Sequence, residues 1–383
     1  MVAQFRAQLA HDEVLRRLKN AWITMRYDHL EKACEVEGDI KVYEVPDALA
    51  LDTWFQEAFV VAADTAKVDD VVVFFQPQSL ASIYFFPHSW EILIHISHWR
   101  TDGNGFISLL NNFFEALGKP WSVEFGYERK NLSSDRDEVA SFTIAGVGGD
   151  ESQITQTATE LILTYTDNMP LIGLSNNSQA VISLGTRRVK QQFDAKTTLK
   201  IVSACKEFEL SVIMGFHVAI IQATQQFAFK ETSANKYTSF VIFSLRPGMP
   251  SPFNDSAAYA TSVYILSLPL VISPRGMTEL AKKPPNPDVP TSTEPMLSSL
   301  GVVDRWLESV HGDVEITGFA IGVEMDTRQI VCHLLTWQGK MVLSACYNEA
   351  FYEAQFVHDF LARTSDILFA ELGVDRMWVT GKM

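Results

Sequence analysis

Residues 91–97 alternate strictly, with Ile92, Ile94 and Ile96 on one side and Leu93, His95 and Ser97 on the other. That pattern predicts a strand buried on at least one face. Farther along the period changes: Phe106, Leu109, Leu110, Phe113, Phe114 and Leu117 fall at i, i+3, i+4, i+7, i+8 and i+11, the apolar stripe of an amphipathic helix. Between the two lies His98-Trp99-Arg100-Thr101-Asp102-Gly103-Asn104-Gly105, a strand-to-helix turn. Asp102 stands where a carboxylate caps free N–H groups and meets the positive end of the helix dipole. Gly103 and Gly105 let the backbone take paths that a side chain would forbid. His98 leaves the strand just before the turn, where its imidazole can face a cleft. A bare His-x-x-x-Asp would be a capped helix with an incidental histidine. The glycines, the apolar strand before and the apolar helix after favour a functional turn.

The rest of the chain reads as alternating helices and strands. Phe5, Leu9, Leu15, Leu18, Trp22 and Met25 recur at helical spacing and predict a helix to about Leu30. A strand is expected at 41–45 and a helix at 51–63, then β-rich runs at 71–75 and 81–86 around a Gln-Pro-Gln-Ser turn. With the strand that ends at His98, these form one sheet with helices packed against it. Gly118 and Pro120 stop the helix after the turn. Residues 136–152 contain Gly146, Gly148 and Gly149, and the chain to about Asn177 mixes a polar helix-like run with turn residues. The crossover between two halves is placed at 171–187, giving an N-terminal lobe of residues 1–178 and a C-terminal lobe of residues 179–383. The second half restarts with a strand, then Asp194 caps a helix at 195–208, and a further helix spans 211–229. Strands are expected at 240–245 and 261–272, a proline-studded exposed loop at 273–295 and a helix at about 297–310. Three strands between 314 and 345 and a closing helix at 349–372 follow.

The chain has 383 residues, 47% of them hydrophobic and 20% charged, enough to bury a substantial core. A net charge of −15 disfavours nucleic acid and anionic membranes as partners, while leaving room for a local basic patch facing a phosphorylated cofactor. Cys34, Cys205, Cys332 and Cys346 are scattered without metal-ligand spacing, and read as buried free thiols rather than a disulfide framework. The sequence shows no P-loop, dinucleotide-binding glycine motif or metal-ligand cluster. The first residues lack a signal-peptide core, and no apolar run is long enough to span a bilayer, so the expectation is a soluble, cytoplasmic protein.

His98-x-x-x-Asp102-Gly103 resembles the HxxxDG motif of the CoA-dependent acyltransferase superfamily, which includes BAHD, carnitine and chloramphenicol acyltransferases and peptide-synthetase condensation domains. The surrounding SHWRTDGNG resembles the fungal trichothecene O-acetyltransferase group. So do SLRPGMPSPFNDSAAYATSVY from Ser244, LGVVDRW at 300–306, GFAIGVEM at 318–325 and TWQGKMVLSACYNEAFY at 336–352, in the same order along about nine tenths of the chain. Ser97 stands where condensation domains carry a first histidine, which argues against peptide-bond formation. Gly318-Phe319-Ala320-Ile321-Gly322 stands where BAHD enzymes carry Asp-Phe-Gly-Trp-Gly, a departure that bears on CoA as donor. The family usually has a lead-in before the first helix, which leaves open whether this chain is trimmed.

The resemblance implies an α/β (α+β) fold of two chloramphenicol-acetyltransferase-like lobes, each a mixed sheet with helices, around a central channel. It implies an O-acyltransferase that moves an acyl group, acetyl in the first instance, from acyl-CoA to a hydroxyl of a hydrophobic specialised metabolite. His98 would be the general base. Asp102 and Gly103 would shape the turn, and Arg246 would pair with Asp102 and hold it away from the chemistry. His95, Trp99, Trp337 and Tyr347 are candidates for the substrate pocket, although a histidine such as His95 is more often a hydrogen-bonded core residue. His217 and His333 lie in apolar segments without evident partners. Acetyl-CoA or another acyl-CoA would be a cosubstrate rather than a resident cofactor, no metal is implied, and one chain would supply the whole channel as a monomer. The alternative is a condensation-domain-like cyclase or isomerase using the same histidine without a donor. A catalytically silent binding protein is a third reading, disfavoured by the intact HxxxDG turn.

Overall fold

The computed structural model describes residues 1–38, 40–75, 78–132, 151–169, 171–230, 234, 236–251, 253–254, 259–272 and 293–375. In the first half the elements run β1 (Val2–Ala7), α1 (His11–Asp28), β2 (Glu35–Glu37), β3 (Ile40–Val42), α2 (Ala48–Ala58), β4 (Phe59–Val61), α3 (Val68–Val72), β5 (Ser82–Phe86), β6 (Glu91–His95), α4 (Gly103–Gly118) and α5 (Glu151–Thr166). The second half contributes β7 (Thr186–Gln192), α6 (Ala195–Glu207), α7 (Val212–Phe227), β8 (Tyr237–Ser244), β9 (Ile265–Ile272), β10 (Met296–Val302), β11 (Val310–His311), β12 (Val314–Ala320), β13 (Val331–Trp337), β14 (Lys340–Asn348) and α8 (Ala354–Leu372).

Two mixed sheets organise the described residues. One has six strands in the order β11-β12-β1-β6-β5-β4, and the other has four in the order β10-β13-β14-β7. The first sheet carries α1 and α4 on a core that includes Leu18, Trp22, Ile92, Ile94, Leu110, Phe113 and Phe114. The second carries α6, α7 and α8 on a core that includes Ile201, Phe216, Leu334, Leu343, Phe360 and Leu368. Strands β11 and β12 come from the second half yet join the first sheet, where β12 pairs antiparallel with β1. The halves are therefore stitched by backbone hydrogen bonds as well as by packing. Side chains start the helices: Asp194 Oδ1 accepts from Thr197 N at 2.7 Å and Ser211 Oγ from Met214 N at 3.3 Å. At the far end Gly373, at φ +62°, closes α8 in the left-handed conformation.

Four expectations from periodicity need correction, the first being the helix at 51–63: it ends at Ala58, and Phe59–Val61 form β4 because they pair with β5. Phe5 belongs to β1 and not to the first helix, because β6 and β12 pair with it on either side. Its ring packs against Phe85, Trp90 and Phe114, so strand pairing and aromatic packing override a helical spacing that matched by coincidence. The run at 71–75 is the end of the short helix α3 rather than a strand; Val71, Val72 and Phe75 pack against a small core of Val68, Phe86 and Leu93. Residues 297–310 are not a helix but β10, a turn at Val303–Arg305 and β11. A register shift between Ser299 and Gly301, with Gly301 at φ +66°, puts Leu297, Leu300 and Val303 in buried positions at a spacing that imitates a helix. The glycine-rich reading at 136–150, residues 76–77 of the Gln-Pro-Gln-Ser turn and the loop reading at 273–292 lie outside the described residues.

His29, buried at the end of α1, meets Asn112 of α4: Asn112 Nδ2 lies 3.0 Å from His29 Nε2, and this nitrogen can accept only in the neutral ring. Burial, reinforced by the charge of Lys32, pushes the imidazole down to about 3. The folded state therefore refuses a proton that the unfolded chain takes up near pH 6.5, so stability falls as pH drops from about 6.5 towards 3. Urea titrations across this window should show His29→Gln losing about 1.4 kcal/mol less per pH unit than the wild type. An unchanged slope would show that His29 is not held neutral.

Candidate active site

The turn after β6 is fixed from three sides. Asp102, about 2% exposed, caps α4 by accepting from Gly105 N at 2.8 Å through Oδ1. Its Oδ2 accepts from Arg246 Nη2 and from Tyr264 N, both at 2.9 Å. Arg246 is equally buried and donates further to the carbonyls of Tyr259 and Ser262. Thr101 Oγ1 donates to Ala260 O at 2.6 Å. Behind the turn, Arg100 reaches the carbonyls of Glu31, Cys34 and Ser79 and lies 3.9 Å over the Trp99 ring. The requirement for glycine at 105 is steric: a Cβ there would stand 2.2 Å from Ala260 O and 2.9 Å from Arg246 Nη2.

With its neighbours tied down, His98 is left exposed on the wall of a cavity of about 2090 Å³. This exceeds the roughly 300–1,000 Å³ of an ordinary single-ligand pocket and gives room for two substrates. Both sheets line it, with Leu93, Ile94 and His95 from β6 facing Met296, Val331, His333 and Cys346 from β10, β13 and β14. The loop after β12 adds Ile321, Gly322, Val323 and Glu324, so the end of GFAIG reaches this space, while Gly318, in place of the BAHD aspartate, lies within β12 opposite Gln4 of β1.

The structure brings His98, Asp102, Gly103, His95 and Tyr347 together on the cavity, with Arg246 directly behind Asp102. His95 Nε2 lies 2.8 Å from Glu324 Oε1, and its ring stacks on Phe75. Trp99 and Trp337 do not line the cavity. Trp99 lies between Arg100 and Lys41, and Trp337 is packed against Phe319 in the core of the first sheet. Cys346 does line it, but burial raises its thiol and so disfavours the nucleophilic thiolate.

His333, read from sequence as a histidine in an apolar segment without evident partners, lies on the cavity wall, as do Glu324 and Arg188, which the sequence does not single out. His333 is buried and is pushed down to about 4 by burial first, then by the charge of Arg188, with His98 a lesser contributor. The available signal was parity: in Val331-Cys332-His333-Leu334, Cys332 and Leu334 point to the helix-covered core, so His333 had to face the other way.

The pinned turn gives two predictions. Asp102→Ala leaves Arg246 charged and buried without its partner, and should cost about 3–5 kcal/mol in denaturant titrations; a variant as stable as wild type would deny the pair any structural weight. Gly105→Ala should destabilise more than Gly103→Ala, since at 103 the added methyl meets only the Leu300 Cδ2 methyl at 2.7 Å, which can move, whereas at 105 it meets a backbone carbonyl. Equal melting temperatures would refute that ranking.

No family model matches the chain. An acetyltransferase, pigO, of Monascus ruber is 27% identical over 94% of this chain and 87% of its own length. An O-acetyltransferase, pigM, of the same organism is 25% identical over 94% of this chain and 77% of its own length. Among solved structures, the trichothecene 15-O-acetyltransferase TRI3 of Fusarium sporotrichioides superposes with a TM-score of 0.78 at 15% identity, covering 96% of this chain and 90% of that one. The fold is thus the two-lobed acetyltransferase fold that the HxxxDG resemblance implied. The acetyltransferase names of the relatives support an acyltransferase enzyme. Among the described residues, no helix is long and apolar enough to cross a membrane.

Proposed function

We propose that this acyltransferase moves an acetyl group from acetyl-CoA to a hydroxyl of a hydrophobic specialised metabolite, with His98 as the general base. The observation that carries this reading is the position of His98: exposed on a cavity lined by both sheets, beside an aspartate turned away into a buried ion pair. The imidazole takes the hydroxyl proton as the oxygen attacks the thioester carbonyl, the carbon–sulfur bond breaks, and the departing thiolate takes the proton back. Asp102, bonded to Arg246, Tyr264 and Gly105, keeps the turn in shape and takes no part in proton transfer. A volume of about 2090 Å³ accommodates acceptor and donor together, as direct transfer without an acyl-enzyme requires. Residues 1–178 and 179–383 would act as two lobes, one supplying the base and the other the facing wall.

The test is acetyl transfer from acetyl-CoA to a panel of apolar alcohols, read as the mass of the acetyl ester. His98→Ala should lower kcat by about 10²–10⁴-fold. Its melting temperature should stay that of the wild type, since His98 is an exposed turn residue. Retained turnover would overturn the base assignment, and a product of unchanged mass would point instead to an isomerase or cyclase.

A further inference from the structure

His333 sits at the centre of a row that crosses the second sheet. Register places it between Ser298 of β10 and Ser344 of β14, and Ser344 in turn faces Lys190 of β7. Residues in one such row project from the same face. Ser298, His333 and Lys190 all line the cavity. The row beside it, Met296, Val331, Cys346 and Arg188, is apolar until its last member, and Ile321 and Leu300 also line the cavity. His333 is about 5% exposed, and its Nδ1 is buried with no hydrogen-bond partner among the described residues. A buried polar atom is ordinarily paired; with Nδ1 enclosed and unpaired no protein contact fixes the tautomer, and the ring, which lines the cavity, can turn the N–H of its other nitrogen to a ligand atom. Burial and the positive charge of Arg188 keep the ring neutral at ordinary pH. A neutral imidazole has one N–H to give, and suits an uncharged oxygen rather than an anion.

We propose that His333, flanked by Ser298 and Ser344 with Lys190 one strand beyond, is a specificity-determining residue that donates a hydrogen bond to a second oxygen of the acyl acceptor, a carbonyl near the hydroxyl that is acylated. The acceptor is then a hydroxyketone-type molecule and not a plain hydrocarbon alcohol. This rests on the acyl-transfer reading of the same cavity. A site built to bond an oxygen rejects the analogue lacking it more strongly than an apolar wall distinguishes two shapes, because the analogue leaves the buried donor unpaired.

The matched probes are 2-hydroxyacetophenone and 2-phenylethanol, which differ by a carbonyl in place of a methylene. With acetyl-CoA as donor, the wild type should prefer the ketone by about ten-fold or more in kcat/KM. His333→Leu should bring that ratio close to one, and His333→Asn, which keeps a donor, should retain part of it. An unchanged ratio in His333→Leu overturns the proposal. A second measurement needs no turnover. In the histidine ¹³Cε1–¹Hε1 spectrum, the His333 signal, identified by its loss in His333→Leu, should move on adding the ketone and not the phenylethanol. A signal that both probes leave in place, or move alike, also overturns the proposal. If the ketone moves the signal while neither alcohol is acetylated, the acyl-transfer reading fails and the hydrogen bond to His333 stands.

Discussion

Asp102 and Arg246 are separated by 144 residues of chain and are both buried, so each requires the other. Their contact is where the two halves of the sequence become one site. Through Asp102 it sets the start of α4, and through Arg246 it holds the strand-end segment that runs from Tyr259 to Tyr264. Thr101 and Gly105 press the same segment from the other side, one by a hydrogen bond to Ala260 and the other by having no side chain. The geometry is over-determined, which is what a side chain needs if it is to hold one direction without being held itself. His98 is that side chain. A carboxylate spent on Arg246 and two backbone amides is not available as a proton relay, so the role of the aspartate follows from its bonds and not from its proximity to the histidine.

The sheet topology does the complementary work. Strands β11 and β12 reach back from the second half to extend the first sheet beside β1, and the loop that leaves β12 carries Ile321 to Glu324 along the cavity wall. Glu324 meets His95 there, at the end of the strand that leads to His98. The segment whose glycine-for-aspartate departure separates this chain from the BAHD pattern is thus a stitch between the two halves of the chain that runs on into the cavity wall. Sequence changes in it would alter the cavity as well as the fold.

What could be read in advance was local. The strand at 91–97, the turn and the helix after it are written in neighbouring residues, and the structure has them as β6 and α4. The closing helix and the three strands before it are equally plain, each with a period of its own. The misreadings were places where distant chain decides. Phe5 is a strand residue because β6 and β12 flank it, and 297–302 is a strand because a bulge at Gly301 shifts parity halfway along. Trp99 and Trp337 are pocket candidates only as aromatics, but aromatic bulk fills cores and covers guanidinium groups as readily as it lines pockets, and here it does both.

His333 shows the same limit from the other direction. Its residue type and apolar neighbours make it look like a core histidine, and on one count it is one, since its ring is buried and pushed down to about 4. A core histidine ordinarily finds a partner within the protein, as His29 does with Asn112. His333 has the same kind of burial without that partner at Nδ1 among the described residues, on the sheet face that borders the cavity. Burial alone therefore does not separate a structural histidine from a binding one. The separation comes from asking both whether the protein has answered the ring and whether the cavity reaches it: His217 Nε2 is unpaired too among the described residues, but His217 does not line the cavity.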